Sequence, residues 1–69
     1  MLIKQLAGPL SDDWEIVHDQ PITHPTNPSV RGALVQHRQT AVYRIAAAGA
    51  LSSIDPTDAH NIRWGMKRI

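Results

Sequence analysis

Cysteine is absent from a chain of only 69 residues, and no other feature of the sequence restricts the fold as much. Disulfides and thiolate zinc sites, the usual reinforcements of so short a chain, are excluded. The length leaves room for one core and no second domain, so residues 1–69 are read as a single small domain. Phenylalanine is also absent, and the core has to come from a thin aliphatic set that includes Leu6, Ile16, Ile22, Val30, Leu34, Val35, Ile45, Ile54 and Ile62. Apolar burial at roughly 25 cal/mol per Å² then nearly cancels an ordering cost of about 1.5 kcal/mol per residue. Self-association or docking onto another molecule is the expected supplement.

Charge divides the chain in the same direction. Residues 1–30 hold Lys4 against Asp12, Asp13, Glu15 and Asp19, a net −3; residues 31–69 hold six bases against Asp55 and Asp58, a net +4. Pro21, Pro25 and Pro28 interrupt the acidic part, and each biases the residue before it toward extended geometry. The expectation is an acidic, proline-interrupted segment over 1–27, with an irregular connector at 20–29, followed by a basic helical part over 28–69.

Helical spacing supports that division. Asn27 can cap a helix with Pro28 at its first position. At 100° per residue Val30, Leu34, Ala41, Ile45 and Ala48 fall close to one line, an apolar stripe that predicts a helix over about 28–52. The run Ala46-Ala47-Ala48-Gly49-Ala50 is the smallest-side-chain segment of the chain. It reads either as a place of close backbone approach or as a helix-favouring spacer. Asp55 and Pro56 signal a second helix over about 56–68, with Asp58 in its first turn and Lys67 and Arg68 at its favourable end. For the N-terminal third, Met1–Leu6 and Trp14–His18 are too short to separate strand from helix, and a short hairpin or an irregular segment is expected. The fold class is therefore α-rich α+β, with all-α as the alternative.

Residues that carry chemistry give little to work with. His18, His24, His37 and His60 lie at none of the spacings that gather a metal. Four scattered glycines make no phosphate loop, and no G-x-S-x-G elbow surrounds a serine. No catalytic residue, cofactor or metal is assigned, a small-molecule substrate is not expected, and the enzyme class is disfavoured. No run approaches the ~20 apolar residues of a membrane span, and the first residues lack the apolar core of a signal peptide. The expected setting is the cytoplasm or a particle assembled inside the cell.

Binding is the class that remains. Arg38 falls within the apolar stripe, where it either lays its stem over apolar surface or crosses an interface to an acidic group. Trp14 is expected in the core and Trp64 at a contact, since aromatic residues flanked by charges often anchor interfaces. The candidate partner-binding residues are Arg38, Arg44, Arg63, Trp64, Lys67 and Arg68. They point to a non-enzymatic protein-binding module, a regulator, inhibitor or assembly subunit acting through its helical surface on a protein partner or on itself as a homodimer. The alternative is a small DNA- or RNA-binding regulator. There the arginine and lysine side chains of the C-terminal helix would meet phosphates, Asn61 or Arg63 would meet base edges, and the two helices would outline a helix-turn-helix.

Overall fold

The computed structural model describes residues 3–65. The chain forms a short helix α1 (Ile3–Ala7), five strands, β1 (Trp14–Ile16), β2 (Ile22–His24), β3 (Asn27–His37), β4 (Tyr43–Ala47) and β5 (Ala50–Ser53), and a second helix α2 (Pro56–Arg63). The strands build one antiparallel sheet in the order β1-β3-β4-β5, with β2 paired to β3.

This architecture overturns the α-rich reading and its all-α alternative: the segment expected as a helix over 28–52 is β3, β4 and β5. Ala33, Leu34 and Val35 are all fully buried, because β3 is central and covered on both faces. Burial on both faces erases the period-2 alternation that marks a half-exposed strand, leaving a continuous apolar run that helical spacing fits equally well. Asn27 does not cap a helix. Its Oδ1 accepts the Ser29 N–H at 3.3 Å beside the β2–β3 turn, and Pro28 lies on an exposed part of β3.

Two reversals replace the expected helix interior. His37 donates its N–H to the Val42 carbonyl at 2.8 Å, while its Nδ1 accepts the Gln39 and Thr40 N–H groups, closing the β3–β4 turn. Between β4 and β5 the chain reverses in two residues, Ala48 and Gly49, at φ 52° and 86°. Positive φ at both positions is the type I′ pattern that matches the twist of paired strands. Glycine adopts it freely, and alanine does so at a cost.

The N-terminal third also departs from expectation. Instead of a hairpin within it, α1 forms a single helical turn and β1 pairs with β3 through Trp14↔His37, Glu15↔Gln36 and Ile16↔Val35. The connector over 20–29 contains β2, which pairs with the first half of β3 through Ile22↔Gly32 and Thr23↔Arg31. The second expected helix exists over Pro56–Arg63, where the Asp55 carboxylate accepts the Thr57 N–H at 2.8 Å. The expected extension to 68 is not made: the helix stops at Arg63, with Trp64 as its C-cap and Gly65 at φ 66°, and residues 66–68 lie outside the described residues.

Alternation along β3 and β4 gives the sheet two cores. Leu34 and Ile45 stand opposite each other in register and pack with Ile22, Ile54 and Ala59 under α2. Ala33, Val35 and Ala46 point to the other face and pack with Ala7 of α1, bordered by Ile3, Leu10, Trp14 and Ile16.

Candidate functional site

Among the candidate binding residues, Arg63 and Trp64 are brought together at the end of α2. The Arg63 Nη1 donates to Gln36 Oε1 and to the Tyr43 hydroxyl, each at 3.1 Å. Gln36 and Tyr43 are register partners on β3 and β4, so the guanidinium is held by a two-strand ledge. It also lies 4.9 Å from the centre of the Trp64 ring, a cation–π contact, and the His60 ring meets Trp64 edge-on at 6.2 Å.

Trp64 itself is the C-cap of α2 and is 59% exposed. The helix ends there as the Trp64 N–H donates to the His60 carbonyl and Gly65 takes φ 66°. The result is a large ring in contact with Arg63 and His60 and still more than half open to solvent.

The remaining candidates do not join this group. Arg38 sits in the β3–β4 turn and is committed within the chain: its N–H donates to the Asp13 carbonyl and its Nε to the Asp12 carbonyl, each at 2.7 Å. Its Nη1 meets Glu15 Oε2 at 3.3 Å. The guanidinium ties the acidic turn before β1 to the turn after β3, so the expected stripe position on a helix does not exist. Arg44 lies on β4 and, by alternation, on the face opposite Tyr43; it is half-buried and donates to the Tyr43 carbonyl at 3.0 Å. Lys67 and Arg68 lie outside the described residues. The helix-turn-helix outline falls with the first of its two helices.

Trp14 packs against the α1-side core, with its ring edge-on to His37 at 4.9 Å. Two open clefts of about 420 and 400 Å³ adjoin β1 and share Lys4 and Ile16 along their walls. Among the described residues, no three histidine or carboxylate side chains gather as a metal-holding group, and no helix is long and apolar enough to cross a membrane.

Gln36, Tyr43 and His60, the residues that set the Trp64 ring in place, were not legible as a group. The first two lie on strands that the sequence presents as helix. The single signal for them was the one tyrosine of the chain, a residue whose hydroxyl needs a partner when its ring is half-buried.

Comparison of the chain with protein-family models, with curated proteins and with solved structures returned no match.

Proposed function

We propose that the protein is a non-enzymatic protein-binding module, a small regulator, inhibitor or assembly subunit, that contacts its partner through the Trp64 end of α2. The observation that carries this reading is the exposure of Trp64, greater than that of Val42 and Leu51, the other large apolar side chains open to solvent among the described residues. Its ring is also pre-positioned, because Arg63 stacks on it and is fixed to Gln36 and Tyr43. A side chain already held in place loses little freedom on docking. A tryptophan offers roughly 150–250 Å² of surface, so burying the exposed part is worth roughly 2–4 kcal/mol to a complex. The long-helix surface of the sequence reading has no part in this proposal. Within it, the protein acts in the cytoplasm or in a particle assembled inside the cell.

Affinity capture from native lysate, with and without nuclease, tests the reading when wild type and Trp64→Ala are run side by side. A stoichiometric protein that survives nuclease and is lost with Trp64→Ala is the expected result, and its Kd for the variant rises at least about tenfold. Equal capture by the variant overturns the proposal. Nucleic acid in the eluate, with proteins lost after nuclease, would favour the second reading, in which Trp64 stacks on a base beside Arg63 and the following Lys67 and Arg68.

A further inference from the structure

Among the described residues three strands have one partner each, β1 and β2 along β3 and β5 along β4, and the β1 and β5 edges are finished differently. Edges are normally blunted by charge, proline or bulges, because unpaired N–H and C=O groups recruit other strands. The β1 edge is three residues long, with Lys4 beside it and Glu15 paired to Arg38. The β5 edge, Ala50-Leu51-Ser52-Ser53, has no charge and no proline, and its register with β4 runs without a bulge.

Alternation decides which β5 groups face outward. The His37 N–H bonds to the Val42 carbonyl, so Val42, Arg44 and Ala46 direct their main-chain groups to β3, while Tyr43, Ile45 and Ala47 direct theirs to β5. With Ile45↔Ser52 and Ala47↔Ala50 in register, the inward groups of β5 belong to Ala50 and Ser52. Leu51 and Ser53 therefore point their N–H and C=O away from the sheet. Two groups along this rim are already engaged inside the chain. The Gly49 N–H donates to the Ala7 carbonyl at 2.8 Å, and the Ser53 carbonyl is in hydrogen-bond contact with His24 Nε2.

We propose that β5 pairs with β5 of a second copy of this chain, antiparallel, about a two-fold axis at Leu51. In that register the Leu51 N–H and C=O bond reciprocally across the axis, and each Ser53 N–H reaches the Gly49 carbonyl of the other copy. The bonds this register leaves unmade run from the Gly49 N–H to the Ser53 carbonyl, the two groups that already have partners. Moving the axis to Ala50 would call on the Gly49 N–H, and moving it to Ser52 would call on the Ser53 carbonyl. One register therefore uses the open groups and spares the engaged ones. The edge is neutral, so two copies meet without like-charge repulsion, and Leu51, 41% exposed, faces its own counterpart. The pairing is independent of the Trp64 reading.

Sedimentation of the full chain from micromolar to millimolar concentration tests it. Wild type and Trp64→Ala are expected to form dimers, whereas Leu51→Lys is monomeric because it sets like charges directly across the axis. Mixing Leu51→Lys with Leu51→Glu in equal amounts restores a dimer. Because the chain is otherwise free of cysteine, Leu51→Cys supplies a test that does not depend on how the charged variant folds. Opposed residues in such a pair stand about 5.5 Å apart at Cα, within disulfide range, so mild oxidation cross-links Leu51→Cys and leaves Asp12→Cys, which dimerises through the same edge, without a covalent link. A wild type that stays monomeric throughout, a Leu51→Lys variant that dimerises like wild type, or a Leu51→Cys variant that does not cross-link would each overturn the proposal.

Discussion

The two faces of the sheet solve the same problem with different means. Under α2, the buried residues are Ile22, Leu34, Ile45, Ile54 and Ala59, and the layer is filled by aliphatic volume. Under α1 they are Ala7, Ala33, Val35 and Ala46, three of the four no larger than alanine. That face is closed by proximity: the Ala48 N–H donates to the Leu6 carbonyl at 3.0 Å and the Gly49 N–H to the Ala7 carbonyl at 2.8 Å. The carbonyls that a helix end leaves unpaired are taken up by the amides that a hairpin tip leaves unpaired. A chain with no phenylalanine and few large aliphatics thus spends its volume on one face and its small residues on the other. The α1 helix, a single turn that would not persist alone, is held by backbone bonds and methyl contacts.

The contrast fails most completely at Gly32, where the two solutions meet. A Cβ on Gly32 would stand 2.1 Å from the Ala46 carbonyl oxygen and 3.0 Å from the Ala47 Cβ. Both neighbours belong to β4 at the centre of the sheet, and neither can withdraw without parting β3 from β4. Gly32→Ala is therefore expected to cost more than about 3 kcal/mol, beyond the ordinary range for overpacking. A domain of this size has only a few kcal/mol of net stability. Circular dichroism of the purified variant should show loss of sheet structure; a cooperative urea transition near that of wild type would mean that β3 can slide past Ala46.

Removing volume from the α2 face should come next in size. Leu34 is fully buried opposite Ile45, and Leu34→Ala leaves a gap that the surrounding side chains fill only in part. The expected loss lies in the lower half of the roughly 2–5 kcal/mol seen for such truncations, since the thin α2 layer can settle toward the sheet. Urea denaturation reads it as a lowered midpoint with an unchanged slope. A loss under about 1 kcal/mol would show that the α2 face, too, is held by something other than volume.

The same contrast explains what was legible in the sequence. The α2 helix was readable because its signals are local: Asp55 caps, Pro56 starts and Asp58 sits in the first turn. The residues of β3 to β5 were apolar in the expected places, yet their period is set by what covers them. Once both faces of β3 are buried, Ala33-Leu34-Val35 carries no strand signature, and Val30, Leu34, Ala41 and Ile45 happen to fit a helix. The turn at Ala48-Gly49 was hidden for a different reason, since half of its signal is an alanine at φ 52°, bonded to Leu6 of α1, which is remote in sequence. Of the candidate site, Trp64 and Arg63 were visible as an aromatic–basic pair. The ledge of Gln36 and Tyr43 that orients them depends on β3–β4 register, which no local pattern encodes. Arg38 fits the stripe of a helix that does not exist; its actual partners, Glu15 on β1 and the Asp12 carbonyl in the turn before it, are brought close by the β1–β3 pairing.

The smallest expected effect isolates closure by proximity. Gly8 follows α1 at φ 80°, and a Cβ there would lie 2.3 Å from the Gly49 nitrogen and 2.7 Å from the Ala48 carbonyl carbon. Gly8→Ala therefore combines a left-handed backbone cost with a clash against the hairpin tip. Unlike the Gly32 clash, this one has an exit: α1 can lift from the sheet and leave β3, β4 and β5 paired. The cost is then capped at what α1 docking contributes, about 1–2 kcal/mol, and it should be local. Hydrogen exchange separates the two cases, because the Ala48 and Gly49 amides are bonded to α1 and the Ala46 amide to β3. In Gly8→Ala the first two are expected to lose protection while Ala46 keeps it. If all three lose protection together, α1 is part of one cooperative unit with the sheet, and its backbone contacts stabilise both faces rather than one.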